Sequence, residues 1–355
     1  MGSRGRYTLA EIMTQPDAWE DALRAFAALE GDLRRAWQAL HPVQVIFVGC
    51  GSTYYLSQVA ASLFQELTGV LARAYPGSEI ALFAPQILLD PRHTLLVAIS
   101  RSGTTTETLV ALDRFRELGG QAAWAITCYP DSPLAGGADL VLPAEAAQEQ
   151  SIAQTRSFAS MLLLVQALAG AVAGEDLSIL SGLPALGREL LDRAAPLAEA
   201  LGEGSRYERF FFLGSGLRYG LASEAMLKMK EMSLSYSEAF HFMEFRHGPK
   251  SMVNERSLVV GLACKEALAH EWQVLDEMVS LGGQVLVLTP CAVVGSAFQT
   301  VTLEAGLPAW GLPVLYLPAL QLLAYYRAIS KGLDPDRPQN LDAVVSLDRS
   351  SFSAA

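Results

Sequence analysis

Four hydroxyl side chains surround one glycine in the six residues of segment 100–105. They belong to Ser100, Ser102, Thr104 and Thr105. An apolar run of strand length, 95–99, ends at this segment, and a helical pattern begins directly after it. The first backbone N–H groups of a helix are unpaired, the helix dipole is positive there, and hydroxyl groups add further donors. The segment therefore predicts a phosphate-binding turn, whereas the alternative, a plain helix cap, needs only one hydroxyl.

A second group of reactive side chains lies on a predicted helix. Glu224, Lys228 and Glu231 are spaced i, i+4 and i+7, which places them on one helical face. The alternative interpretation is a surface stripe with a stabilising Glu–Lys pair. Segment 239–252 follows, with two histidines, a glutamate, an arginine and a lysine among aromatic residues, a mixture typical of a partly buried polar site. Because imidazole and carboxylate side chains are the groups that most often move protons in enzymes, His247 and Glu231 predict acid/base chemistry.

Two copies of one structural unit position these groups. Segments 47–52 and 212–217 are each an apolar strand that ends in Gly-x-Gly and leads into a helical stretch. Further strands follow in similar order, at 95–99 and 122–127 in the first copy and at 258–263 and 285–289 in the second. Alternating strands and helices imply parallel sheets with right-handed crossovers. The sequence therefore predicts an α/β fold of two tandem, doubly wound parallel-sheet domains with helices on both faces.

The predicted boundaries follow chain order. They give an N-terminal helical segment (1–40), a first domain with the phosphate-binding turn (41–175), an inter-domain helix and linker (176–205), a second domain with the acid/base residues (206–335) and a C-terminal tail (336–355). The copies differ at the turn, since the position that matches Ser100 is Ala263. Neither copy has the third glycine of a dinucleotide-binding turn, and no Gly-Lys-Ser/Thr follows, which argues against NAD and against nucleoside triphosphates.

Composition narrows the class of protein further. The chain has 355 residues, of which 51% are hydrophobic and 18% charged, as expected for a well-packed globular protein. A net charge of −11 argues against nucleic acid and anionic membrane surfaces as partners. Apolar runs such as 161–172 are judged too short to span a bilayer. The four cysteines form no Cys-x-x-Cys pair, which favours buried thiols in a reducing cytoplasm, and no metal or organic cofactor is implied.

Five stretches of the sequence together resemble the tandem sugar-isomerase (SIS) domain family. They are 51–53, 100–106, 152–158, 224–231 and 245–249. The resemblance runs from Gln15 to Leu341. It is close to the isomerase half of glucosamine-6-phosphate synthase and to stand-alone relatives, which are amino-sugar-phosphate deaminases, fructosamine-6-phosphate deglycases and ketose/aldose phosphate isomerases. The resemblance implies two SIS domains and a small-molecule sugar phosphate as substrate.

The resemblance also implies roles for individual residues. Those implied in binding the phosphate are Ser52, Thr53, Ser100, Arg101 (through its backbone), Ser102 and Thr105. Those implied in other contacts with the substrate are Ala153 and Gln154. Those implied in catalysis are Glu224, Lys228, Glu231 and His247. In the family the glutamate that matches Glu231 moves a proton between C1 and C2 of the sugar. The residue that matches His247 assists ring opening, commonly from the neighbouring subunit, so we expect a homodimer with composite active sites.

This sequence differs from the synthase in two ways that change the expected activity. No glutaminase half precedes the isomerase part, so we expect no release of ammonia from glutamine. Ala343 stands where the synthase has a Schiff-base lysine, which excludes imine catalysis from that position.

The expected reaction converts an amino-sugar phosphate, such as glucosamine 6-phosphate, to fructose 6-phosphate and ammonia. An aldose/ketose phosphate isomerase and a fructosamine-6-phosphate deglycase share the same C1–C2 proton transfer and remain alternatives. A non-catalytic sugar-phosphate sensor is the alternative from another class. The combination of Glu224, Lys228, Glu231 and His247 argues against it.

Overall fold

Two compact units make up the chain, each built around its own sheet. The computed structural model describes residues 4–291, 297–303, 306–345 and 347–352. The N-sheet unit comprises Thr14–Glu149, Arg156–Pro184 and Asp342–Ala355. The C-sheet unit comprises Met1–Met13, Gln150–Thr155 and Ala185–Leu341. The sequence-based boundaries run in chain order, whereas these units interleave: the first helix belongs to the C-sheet unit and the tail beyond Leu341 to the N-sheet unit.

The described elements alternate between strand and helix along most of the chain. The strands are β1 (Gln44–Gly49), β2 (Leu71–Pro76), β3 (Thr94–Ile99), β4 (Ala122–Thr127), β5 (Leu140–Pro143), β6 (Arg209–Gly214), β7 (Tyr236–Phe240), β8 (Ser257–Leu262), β9 (Gln284–Thr289) and β10 (Gln299–Thr302). The α-helices are α1 (Arg6–Met13), α2 (Gln15–Leu40), α3 (Ser52–Thr68), α4 (Gly77–Ile87), α5 (Thr106–Glu117), α6 (Pro133–Gly137), α7 (Arg156–Ala173), α8 (Leu183–Leu201), α9 (Arg218–Ser233), α10 (Phe242–Phe245), α11 (Leu268–Ser280) and α12 (Leu317–Ser330).

The sheet of the N-sheet unit is parallel, with strand order β2-β1-β3-β4-β5. Every residue of β3 and β4 is buried, which requires cover on both faces. On one face Ile46 and Val48 pack with residues of α4 and α5. On the other face the ring of Phe47 lies 5.8 Å from that of Phe64 in α3. The predicted α/β class with helices on both faces is confirmed here.

The sheet of the C-sheet unit repeats this topology, with order β10-β9-β8-β6-β7 and all pairs parallel. Phe211 and Val259 share a buried cluster with residues of α10 and α11 on one face. On the opposite face the Arg327 guanidinium of α12 lies 5.1 Å from the ring of Phe210. The two tandem doubly wound sheets predicted from the sequence are therefore present.

The Gly-x-Gly of each copy has a structural explanation. A Cβ at Gly49 would lie 2.5 Å from the carbonyl of Thr53, so only glycine lets the helix backbone approach the strand this closely. Gly214 meets the backbone of α9 in the same way. Gly51 and Gly216 have φ of +57° and +58°, a conformation that favours glycine. The motif therefore has a steric role in the strand-to-helix turn of both units.

One expectation from the sequence is corrected by helix α7. The apolar run 161–172 was too short to cross a membrane, but the helix extends over Arg156–Ala173, and its 18 residues have a mean hydropathy of 1.5. By length and composition alone it could therefore span a bilayer. Because 83% of it is buried inside the protein, it has the character of a core helix.

Candidate active site

The hydroxyl-rich segment forms the turn between β3 and α5. Thr105 occupies the N-cap position of α5, but its side chain makes no capping hydrogen bond. Its Oγ1 instead lies 3.3 Å from the Oγ of Ser100, which accepts the Gly103 N–H at 3.1 Å. The Oγ of Ser102 accepts the N–H and the hydroxyl of Thr104 at 3.2 and 2.9 Å. The hydroxyls therefore form hydrogen bonds with one another and with backbone N–H groups of the turn, at the N-terminus of a helix. A plain helix cap does not require this arrangement.

Gly103 is the sterically critical residue of this turn, and replacing it should destabilise the protein. Its φ is +65°, and a Cβ there would overlap the Oγ of Ser132. We expect Gly103→Ala to lower the free energy of unfolding by roughly 2–4 kcal/mol, from backbone strain plus overpacking. Gly51→Ala is the matched control, since Gly51 also has a positive φ but has open space around it. Equal losses for the two variants in chemical denaturation would contradict this explanation.

Arg101 anchors the turn through its side chain. Its guanidinium forms a 3.3 Å ion pair with the fully buried carboxylate of Glu149 and donates to the carbonyl of Ala343 at 3.0 Å. Its own carbonyl accepts the N–H of Cys128 and the hydroxyl of Thr127 at 3.1 and 3.2 Å. The family resemblance implies a role only for the backbone of Arg101, and the structure shows that its side chain also holds the turn in place.

The turn after β1 lies at the same edge of the sheet, because β1 and β3 are neighbouring parallel strands. The sheet order changes direction between them, which is where ligands bind in open α/β sheets. Ser52 is the buried first residue of α3. The Thr53 hydroxyl donates to the Cys50 carbonyl and accepts the Cys50 N–H, both at 2.9 Å. The Thr53 hydroxyl therefore closes the turn in this structure, and its expected contact with a phosphate stays a prediction.

Glu224, Lys228 and Glu231 do lie on one face of a helix, α9, but this face is not a surface stripe. The side chains of Glu224 and Lys228 are each only 3% exposed, and that of Glu231 is 20% exposed. The Lys228 ammonium lies 3.5 Å from Oε1 of Glu224 and is ion-paired with Oε2 of Glu231. A buried ammonium between two carboxylates is costly unless it is well paired, so the arrangement rejects the surface-stripe interpretation.

Glu231 also lines a cavity of about 230 Å³ within the C-sheet unit. The other lining residues are Arg4, Met232, Leu234, Gly332, Leu333, Asp334, Arg337, Pro338 and Gln339. Two of them, Arg4 and Arg337, are cations that the sequence analysis did not single out. They come from opposite ends of the chain, which are joined where Asp334 accepts the Gly5 N–H at 2.9 Å and Asp336 accepts the Thr8 N–H at 2.7 Å. The cavity combines a partly exposed carboxylate with positive charge.

Three of the expected residues remain, His247, Ala153 and Gln154. His247 is exposed directly after α10, and within the described residues no hydrogen bond or ion pair joins it to Glu231. Ala153 is buried, and its carbonyl accepts the hydroxyl of Ser151 at 3.2 Å. The Oε1 of Gln154 is buried and has no hydrogen-bond partner among the residues that the structure describes. Gln154 therefore offers an acceptor to a hydroxyl or amine of a ligand.

The sequence profile described as "SIS domain" matches residues 41–171 and 205–326. The chain belongs to the SIS domain family. Within the family it is similar to glutamine–fructose-6-phosphate aminotransferase (isomerizing) of Pseudomonas putida, at 31% identity over 372 residues. The same enzyme of Legionella pneumophila is 29% identical over 360 residues. Each alignment covers 98% of this chain, which spans only 60% and 59% of the length of those relatives, respectively.

Solved structures extend this comparison. Glucosamine-6-phosphate deaminase from Thermotoga maritima superposes with a TM-score of 0.81 at 31% identity, over 96% of this chain and 100% of that one. Tagatose-6-phosphate ketose/aldose isomerase from Escherichia coli shares the fold, with a TM-score of 0.85 at 22% identity over 95% of this chain and 98% of the other. The SIS fold therefore extends over nearly the whole chain.

Proposed function

We propose that this protein is a sugar-phosphate enzyme that moves a proton between C1 and C2. We further propose that it converts an amino-sugar 6-phosphate, such as glucosamine 6-phosphate, with water to fructose 6-phosphate and ammonia. The observation that carries the proposal is the position of Glu231, a partly exposed carboxylate at a cavity wall, held by the buried ammonium of Lys228. The similarity to the glucosamine-6-phosphate deaminase from Thermotoga maritima, which covers 100% of that protein's chain, supports this substrate class.

The proposed chemistry needs one base for two carbon atoms. After the sugar ring opens, the Glu231 carboxylate takes the proton from C2, the electron pair forms the C1=C2 double bond, and the C1 carbonyl oxygen takes a proton from water, which gives the enolamine. The resulting carboxylic acid then delivers a proton to C1, which leaves an imine at C2. Water adds to C2 and ammonia departs, so that one water is consumed for each ammonia released. Lys228 orients the carboxylate through their ion pair.

Ring opening is assigned to His247, because position 343 carries no amine. The side chain of Ala343 is a methyl group, and its carbonyl already accepts from Arg101. An imidazole can serve as a general acid toward the ring oxygen. The phosphate is assigned to the turn of Ser100, Ser102 and Thr105, with the N-terminus of α5 as a further source of donors.

A substrate panel tests the proposal. The protein is incubated with hexose 6-phosphates, hexosamine 6-phosphates and fructosamine 6-phosphate, and free ammonia and ketose are assayed together. We expect equal amounts of both products from a hexosamine 6-phosphate. Ketose formed from a hexose phosphate without ammonia would make the protein a plain isomerase, and release of a larger amine would make it a deglycase. Tight binding without any turnover would favour the sensor alternative.

Mixed dimers test whether His247 acts from a second copy of the chain. If the sites are composite, mixing inactive Glu231→Gln and His247→Ala chains should restore activity, up to about one quarter of the wild-type sites when subunits exchange freely. Differently tagged chains report whether heterodimers form. Heterodimers without recovered activity would contradict the composite arrangement and place both groups in one chain's site.

A further inference from the structure

A cavity of about 500 Å³ lies in the C-sheet unit at the carboxyl ends of its strands. Its lining residues are Arg218, Cys264, Lys265, Glu266, Pro290, Cys291, Leu307, Pro308, Ala309, Leu312 and Tyr316. The volume falls within the range of roughly 300–1,000 Å³ that is typical of small-molecule sites. None of these residues has a role in the function proposed above.

The cavity occupies the same topological position as the hydroxyl-rich turn of the other unit. In the order β10-β9-β8-β6-β7, the chain leaves β6 toward β7 on one side and later returns to β8 on the other. The switch point is therefore between β6 and β8, as it is between β1 and β3 in the N-sheet unit. Arg218 begins the helix after β6, and Cys264 follows β8. Both residues line the cavity at this switch point.

Arg218 supplies a positive charge at the wall of this cavity. Its side chain is 12% exposed, and its Nε is buried with no hydrogen-bond partner in the part of the chain that the structure describes. It makes a loose ion pair with Glu266, 3.8 Å from Nη2, but that carboxylate is 62% exposed and its attraction is weakened by solvent. A buried guanidinium N–H without an acceptor is costly, which favours an acceptor from a ligand.

The other acidic group nearby, Glu271, is engaged elsewhere. It is buried, and its carboxylate accepts the backbone N–H of Cys264 at 2.8 Å and the thiol of the same residue at 3.7 Å. Burial raises the pKa of Glu271, so its negative charge is disfavoured. It attracts the Arg218 guanidinium electrostatically, but in the described part of the chain its carboxylate accepts from Cys264 and not from Arg218.

The walls of the cavity are suited to an apolar body rather than to a phosphate. Ala263 stands where the other unit has the hydroxyl of Ser100, and Pro290, Leu307 and Leu312 supply aliphatic surface to the cavity. The Tyr316 hydroxyl is used, since it donates to the Ala263 carbonyl at 2.7 Å. A single buried guanidinium balances one negative charge and matches the planar fork of a carboxylate. A phosphate dianion would retain an uncompensated charge.

We propose that this cavity is a second ligand site, which binds a small organic carboxylate with an apolar body through Arg218. Lys265 and Glu266 are both exposed at its rim and largely offset one another. The site is separate in chemistry from the hydroxyl-rich turn, and it does not depend on the reaction proposed above.

Calorimetric titration of the full chain with hexanoate and benzoate tests the proposal. The neutral analogues are hexanamide and benzamide, and inorganic phosphate is the third class of probe. We expect saturable binding of one carboxylate per chain and at least about tenfold weaker binding of the amides, which lack the charge. Arg218→Met should weaken carboxylate binding by a similar factor. The matched control is Arg256→Met, because Arg256 is exposed and pairs with Glu208 away from the cavity.

A second variant covers the case in which Arg218→Met does not fold. Ala309→Trp keeps the guanidinium but fills the cavity from its wall, and it should abolish carboxylate binding. The double variant Ser102→Ala/Thr105→Ala should bind carboxylates like the wild type, which separates this site from the phosphate turn. The proposal is overturned if neither carboxylate binds, if the amides bind equally well, or if binding survives Arg218→Met or Ala309→Trp. It is also overturned if the phosphate-turn variant loses the binding.

Discussion

The Glu231→Gln variant is expected to turn over substrate about 10²–10⁴ times more slowly than the wild type, with nearly unchanged affinity. Glutamine keeps the shape of the side chain and an oxygen that accepts from Lys228, but it cannot take the proton from carbon. The loss should therefore appear in kcat and not in KM. Wild-type enzyme in heavy water should also introduce deuterium at C1 or C2 of the product, unless the same proton returns internally each time.

The control for this variant is Glu255→Gln, which removes a carboxylate at an exposed position of the same unit. It should leave both kcat and KM unchanged, because solvent and salt screen the effect of one exposed charge on the active site. Near-normal turnover by Glu231→Gln on its true substrate would contradict the assignment. Glu224, buried on the same face of α9, and Glu244 would then be the next candidates for the base.

The central strands could be predicted closely from the sequence because each is a continuous apolar run. The predicted 122–127 coincides with β4, and 95–99 differs from β3 by one residue. In the second copy, the predicted 258–263 is displaced by one residue from β8. The edge strands gave no such signal. β2 and β7 are partly exposed along their length, so their residues do not form the apolar run that identifies a buried parallel strand.

The candidate site could be predicted only in part, for a related reason. The i, i+4, i+7 spacing placed three side chains on one face of a helix, but a buried ion-pair group and a surface stripe have the same spacing. The burial of Lys228 is set by α9 packing against β6 and α12, which are contacts that no local pattern reveals. Arg4 and Arg337 were missed because hydrogen bonds between distant parts of the chain bring them to one cavity.

The segment around Ala343 has a structural role that its side chains do not indicate. The sequence identified Ala343 as a residue without the amine that imine catalysis requires. The structure shows a different use of the same segment, since the Ala343 carbonyl accepts from Arg101 and the Leu347 N–H donates to Thr106 at 3.0 Å. Within the N-sheet unit the tail therefore holds the hydroxyl-rich turn and the start of α5 through its backbone, a role that side-chain identity does not encode.

The double variant Ser102→Ala/Thr105→Ala is expected to bind sugar phosphates about 10²–10⁴ times more weakly than the wild type. Two hydrogen bonds to a charged group are lost, each contributing about 1.5–3 kcal/mol. The fold should survive, because both residues are only half-buried and the Thr105 hydroxyl does not cap α5. Calorimetric titration with the product or a substrate analogue measures the affinity, and thermal unfolding measures the stability.

The choice of hydroxyls decides what this double variant can show. Ser100 is left in place because its Oγ accepts the Gly103 N–H in a buried hydrogen bond, whereas the bond from the Thr104 N–H to Ser102 is exposed and water can replace it. Thr104→Ala is the matched control: its hydroxyl is exposed and donates to Ser102, so its removal costs one solvent-accessible bond and should change the affinity little. If the double variant binds as tightly as the wild type, the phosphate is held elsewhere. The positive charge of Arg4 and Arg337 beside Glu231 would then be the first alternative to examine.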